Sequence, residues 1–236
     1  MSLYKTKAII LRVIRYHEAD KILTLLSPDG RIDAIAKGSR KVKSRFGGRL
    51  ETFCLVDLVL YRGRNLHTVT QANLINAHEN IRKDYSRYLL ASAAVELASK
   101  IAFSGQKEEA LFSLVEEMLT YLHSSEKASK LGLLYFDWQV VKILGLLPQL
   151  NFNDDLQTVW FNFENGSLYD KPPSRGNSLR LKSLTINFLK SIIRLSFTEL
   201  DELKPDESTL REFANLTKQY LDYQLQTKLK TRSYIE

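Results

Sequence analysis

Hydrophobic and polar positions follow a two-residue period through the first third of the chain and a helical period after it. From Tyr4 to Arg15 the β-branched residues Thr6, Ile9, Ile10, Val13 and Ile14 predict a strand. Lys21 to Ser27 predicts a second strand, and Pro28-Asp29-Gly30 a tight turn, with proline fixing φ and glycine free to take positive φ. Arg31 to Lys37 sets Ile32, Ala34 and Ala36 against Arg31, Asp33 and Ile35, the return strand of a hairpin. Thr52 to Tyr61 is a fourth strand, apolar apart from Asp57. The turn Arg62-Gly63-Arg64-Asn65 leads to a fifth strand from Leu66 to Ile75. A hairpin first and a long excursion between strands three and four predict a five-stranded OB-type β-barrel over residues 1–80, with an SH3-like barrel as the nearest alternative.

From Ile81 to Phe103, Leu90, Ala93, Ala94, Leu97 and Ile101 fall on one helical face, and Ser104-Gly105 ends the helix. Lys107 to His123 repeats the pattern, with acids in its first turn where the helix dipole favours them. Lys127 to Gly145 is too apolar for a single stripe and predicts a central helix with Tyr135, Phe136 and Trp138 in the core. Residues 149–177 read as an irregular insert. Thr158 to Phe163 alternates, Asn165-Gly166 is a hairpin turn, Ser167 to Tyr169 pairs back, and Pro172-Pro173 with Gly176 makes an exposed loop. Ser183 to Ser196 and Glu207 to Leu229 are two further helices, the second entered at Pro205-Asp206, and Thr231 to Glu236 is expected to fray. The fold class is α+β: an N-terminal five-stranded OB-type barrel, then an α-helical domain over 81–236 carrying a small β-hairpin insert.

Charge sharpens this division. Residues 1–80 carry fourteen Lys and Arg against seven Asp and Glu, whereas residues 81–236 carry twenty of each. The whole net charge of +7 therefore belongs to the barrel segment, as expected of a basic binding module on a neutral body. Its centre is Lys37 to Arg49, KGSRKVKSRFGGR. Lys37, Arg40, Lys41, Lys43, Arg45 and Arg49 crowd a stretch with no acid between Asp33 and Glu51, and Phe46 is its one aromatic. Such a loop suits a nucleic-acid backbone, with Phe46 placed to stack on a base. A solvated charge run is the plainer reading. Arg62 and Arg64 in the next turn add to the same basic surface.

The remaining chemistry is sparse. No apolar run approaches the length of a membrane span, and the N-terminal apolar segment is too short and charged for a signal peptide, so a cytoplasmic protein is expected. The single cysteine, Cys54, sits among apolar residues as a buried thiol and excludes an internal disulfide. His17, His67, His78 and His123 lack metal-ligand spacing, and Asp154-Asp155 lacks that of a calcium loop. His17, Glu18 and Asp20 read as a surface turn in preference to acid–base machinery. No phosphate-binding glycine loop or nucleophile elbow is present. The chain reads as a binder without cofactor or metal, not an enzyme.

Several strings resemble the RecO family of bacterial recombination mediators. They are Lys7-Ala8-Ile9-Ile10-Leu11, Tyr16-His17-Glu18-Ala19-Asp20-Lys21-Ile22-Leu23, Gly30-Arg31, Ala36-Lys37-Gly38-Ser39-Arg40 with Lys43-Ser44-Arg45, and Leu144-Gly145-Leu146-Leu147-Pro148. The most specific part is Y-x-E-x-D followed by A-K-G-x-R-x-x-x-S-R. The resemblance implies an N-terminal OB domain and a helical domain, in a cytoplasmic, nucleoid-associated protein. It also implies binding of single- and double-stranded DNA and annealing of complementary strands. RecR, the acidic C-terminal tail of single-strand-binding protein and, indirectly, RecA are the implied partners.

Many relatives carry four zinc-binding cysteines after the L-G-x-x-P string. Here Asn151-Phe152-Asn153-Asp154 and Lys171-Pro172-Pro173-Ser174 stand in that region, so packing or the 158–169 hairpin has to hold the insert. Two other functions stay open: an RNA-binding OB module, and a protein-interaction scaffold whose basic face takes acidic peptides.

Overall fold

A computed structural model describes residues 2–126, 129–153 and 155–235. Asp154, half of the aspartate pair considered above, and Lys127, the expected start of the central helix, lie outside the described residues. The chain forms two compact units, one of Met1–Ala128 with Thr231–Glu236, the other of Ser129–Lys230.

In the first unit β1 (Leu3–Tyr16), β2 (Asp20–Ser27), β3 (Gly30–Ala36), β4 (Leu55–Tyr61) and β5 (His67–Asn76) close a barrel in the order β1-β2-β3-β5-β4. The expected five-stranded barrel is therefore present, each strand end within a few residues of its sequence position. β1 is long because its first half pairs with β4 and its second with β2, and a register shift between Ile10 and Arg12 bends it from one partner to the other. That bulge explains why Ala8, Ile9, Ile10 and Leu11 are buried in succession, which strict alternation forbids. The Pro28-Asp29-Gly30 turn closes β2 onto β3. Gly30 has φ +111°, and a Cβ there would sit 2.7 Å from the carbonyl oxygen of Phe103, so both conformation and space require glycine.

This unit also holds the α-helices α1 (Glu79–Lys83), α2 (Tyr85–Ile101) and α3 (Glu109–Ser124). The single helix expected over 81–103 is thus two. Asp84 is extended (φ −126°, ψ 123°), and its carboxylate accepts the Arg87 N–H at 2.8 Å. An aspartate caps a new helix better than it continues an old one. Lys7 of β1 reaches Glu116 of α3 at 2.9 Å, joining helix to barrel.

The second unit is built on α4 (Lys130–Ile143), buried almost all round as its composition predicts. Trp138 donates its indole N–H to the Thr217 hydroxyl at 2.9 Å and stacks on Phe213 and Tyr220 of α6 (Glu207–Leu225). Asp206 caps α6 through the Thr209 N–H. The insert is a three-stranded sheet in the order β7-β6-β8, made of β6 (Thr158–Asn162), β7 (Leu168–Tyr169) and β8 (Ser178–Lys182), the last running into α5 (Ser183–Ile192). The expected hairpin is its first two strands, and β8 is an addition. Asn162, nearly fully buried, organises the insert. Its Oδ1 accepts the N–H groups of Glu164 (2.8 Å) and Asn165 (3.3 Å), and its Nδ2 donates to the Arg175 carbonyl (3.2 Å). A side-chain amide thus ties the two loops of the sheet together.

Candidate nucleic-acid interface

The segment Lys37 to Arg49 is charged outside and apolar inside. Successive turns fold it: Lys41 N–H to the Gly38 carbonyl (3.2 Å), Ser44 N–H to Lys41 (2.9 Å), Gly47 N–H to Ser44 (3.3 Å), then a 3₁₀ turn over Gly47–Arg49. Phe46 and Leu50 point into the barrel core beside Leu23, Ala36 and Val56. Phe46 was expected to stack on a base, and its placement corrects that expectation. The ring is 1 % exposed, and the Arg45 guanidinium lies 4.9 Å above it, so no face is open to a base. Burying such a ring contributes about 1.5–3 kcal/mol, whereas stacking would leave the barrel end open to water. Lys37, Arg40, Lys41, Lys43, Arg45 and Arg49 all remain exposed, with Val42 fully exposed among them.

Both ends of the loop are held. The Asp20 carboxylate accepts the Gly38 N–H at 2.7 Å, the Ala19 carbonyl accepts the Arg40 N–H at 2.8 Å, and Arg40 Nη1 donates to the His17 carbonyl at 3.3 Å. At the far end Lys21 Nζ donates to the Leu50 carbonyl (3.1 Å) and pairs with Glu51 (2.7 Å). Beyond it, Arg82 of α1 donates to the Thr52 carbonyl, and His78 Nδ1–H to the Phe53 carbonyl at 2.7 Å. Burial lowers the His78 pKa, so the ring is neutral at pH 7 and serves as a structural donor. The strings Y-H-E-A-D and A-K-G-S-R, distant in sequence, grip one another.

Most cations of this surface have no carboxylate partner among the described residues. Lys7, Lys21 and Arg31 have carboxylate partners. Among the described residues no ion pair is formed by Lys37, Arg40, Lys41, Lys43, Arg45, Arg49, Arg62 or Arg64. Arg62 lies 5.1 Å over the Tyr4 ring, and the Tyr4 hydroxyl bonds to His67 Nδ1. Burial and the Arg62 charge lower the His67 pKa.

Strand register relates the loop to the 62–65 turn. Ile14 pairs with Ile22, Ile22 with Ile35, Ile35 with Thr68 and Thr68 with Tyr61, one continuous row across the barrel. Its side chains face out: Ile14 is 40 % and Tyr61 38 % exposed. Because β3 and β5 run parallel at Ile35 and Thr68, the loop leaves from one side of the row and the turn arrives from the other. Two cationic segments therefore border one outward apolar strip, with Arg12 and Tyr16 of β1 on the same face as Ile14. None of Arg12, Ile14, Tyr16, Ile22 and Ile35 stood among the residues expected from sequence. The available signal was Ile35, an apolar residue at a polar position of an alternating strand.

Residues 1–78 match the family Recombination protein O N terminal, and residues 82–233 match Recombination protein O C terminal. The chain belongs to the RecO family. It is 30% identical over 245 residues to the DNA repair protein RecO of Desulforamulus reducens, covering 100% of this chain and 95% of the relative. The RecO of Bifidobacterium longum is 30% identical over 244 residues, 100% of both chains. That of Thermoanaerobacter sp. is 27% identical over 250 residues, 100% of this chain and 98% of the relative. The barrel is the OB-fold domain of a RecO-family DNA repair protein. No helix among the described residues is long and apolar enough to cross a membrane.

Proposed function

We propose that this chain binds single- and double-stranded DNA through the basic border of its barrel, anneals complementary strands, and helps load recombinase onto strands coated by single-strand-binding protein. Lys37, Arg40, Lys41, Lys43, Arg45, Arg49, Arg62 and Arg64 are the phosphate contacts in this reading, and the Ile14–Tyr61 row is the strip along which unstacked bases lie. The observation that carries it is the concentration, on one domain of a DNA-repair family member, of exposed cations that form no ion pair among the described residues. A strand bound there releases counterions, and a second strand meets a backbone whose charge is partly neutralised, so the barrier to pairing falls. No covalent step is required, and the role is that of a non-enzymatic mediator in the cytoplasm, at the nucleoid. Its protein partners in this account are RecR, the acidic tail of single-strand-binding protein and, through them, RecA.

Annealing of complementary strands coated with intact or tail-truncated single-strand-binding protein tests this. Annealing of strands coated with the intact protein, lost on truncation, is the expected result. Failure on both coated substrates removes the mediator role. Stronger binding to structured RNA than to single-stranded DNA of equal length replaces it with the RNA reading.

A further inference from the structure

Asp20 stands at the root of the most positive segment of the barrel, where its own charge opposes any anion held by the loop. Electrostatics alone therefore says that removing this carboxylate strengthens DNA binding. Its geometry says the reverse. Gly38, at φ +68°, turns its N–H back onto β2, where Asp20 Oδ1 accepts it at 2.7 Å. Ala19 and His17, one and three residues back, take the Arg40 backbone and side chain through their carbonyls at 2.8 and 3.3 Å. Lys21 closes the other end on the Leu50 carbonyl and Glu51. Adjacent residues of a strand point to opposite faces, so Asp20 and Lys21 secure the loop's two ends from the two sides of β2.

We propose that Asp20 is a positioning residue for nucleic-acid binding, an acid that raises affinity for a polyanion by holding the cationic loop in one shape. This rests on the reading of the loop as the DNA contact. A loop clamped before binding displays Arg40, Lys41, Lys43 and Arg45 together, while a released loop orders itself at the expense of affinity. The hydrogen bond involved is charge-assisted and stronger than a neutral one. Beyond about 10 Å the repulsion it competes with is screened at 0.1 M salt.

Two variants separate these effects. Asp20→Ala removes acceptor and charge, and Asp20→Asn removes the charge but keeps an oxygen acceptor for the Gly38 N–H. Hydrogen exchange at Gly38 in the DNA-free protein reads the clamp, and titration of a labelled oligothymidylate reads affinity. In Asp20→Ala, faster Gly38 exchange and about tenfold weaker binding are expected, with Asp20→Asn at or above wild-type affinity. Unchanged exchange in Asp20→Ala, or tighter binding by it, overturns the proposal. Faster exchange with unchanged affinity overturns the positioning role while leaving the hydrogen bond real. Wild-type protein that fails to bind DNA under the same conditions refutes the DNA reading itself, and the exchange arm still reports whether the clamp exists.

Discussion

Replacing Arg40, Lys41, Lys43 and Arg45 together by alanine removes half of the eight unpaired cations that border the outward row. All four side chains are exposed, and none makes an ion pair among the described residues. The Arg40 N–H bond to the Ala19 carbonyl belongs to the backbone and survives the change. If each cation meets one phosphate, single-stranded DNA releases about 0.7 counterion per contact, and the slope of log affinity against log salt falls from about −5.6 to about −2.8. Between 50 and 200 mM salt the wild type then loses affinity about 2,000-fold and the variant about 50-fold. At 0.1 M the variant binds up to about 600-fold more weakly. Fluorescence anisotropy with a labelled oligonucleotide at four salt concentrations measures both quantities, and thermal unfolding confirms that the fold is intact. A variant with the wild-type slope refutes the assignment of these residues to phosphate contact, whatever its affinity at any one salt concentration.

Phe46→Ala is expected to destabilise the first unit by about 3–5 kcal/mol, as loss of a buried aromatic does, with a lower denaturation midpoint in urea. A midpoint unchanged with DNA affinity lost would restore the stacking role. His67 and His78 have folded-state pKa values below the usual 6.5, so the unfolded chain binds more protons as the pH falls through that value. Stability is fully present above pH 6.5 and declines below it. Thermal unfolding between pH 7.5 and 5.5 should show a falling midpoint, less steep in His78→Gln; a flat profile contradicts the buried neutral ring. Asn162→Ala removes three hydrogen bonds from the insert, and faster amide exchange at Glu164 and Asn165 is expected, with protection in the barrel unchanged.

Most of the barrel was legible because two-residue alternation and the Pro-Asp-Gly turn act locally. The central helix was legible because apolar residues all round it leave no solvent side. Asp84 was passed over because the apolar spacing continues through it, although an aspartate before a new helical run is itself a capping signal. β8 escaped because five residues after a proline-rich loop alternate too briefly to stand out, and Leu181 becomes a core residue only through pairing with Val159. The charge of the basic loop was plain, but its inward side was not. Ser39, Phe46 and Leu50 follow no period, and a phenylalanine among arginines looks exposed until a barrel end lies beneath it. The outward row depends on register between distant strands, and no single strand announces it. Asp20 was read as a turn residue for the same reason: its partner lies at Gly38.

Contact between DNA and the loop from Lys37 to Arg49 can be read at Val42, an exposed uncharged residue among its cations. Val42 is fully exposed, and the native thiol, Cys54, is buried. Val42→Cys can therefore carry a photo-crosslinker at one site without altering charge. Crosslinking of this variant to single-stranded DNA, suppressed by unlabelled competitor and by raised salt, is the predicted result. Absence of a crosslink at Val42 under conditions where the protein binds DNA, with a crosslink from Leu184→Cys on the second unit, would place DNA elsewhere and contradict the account.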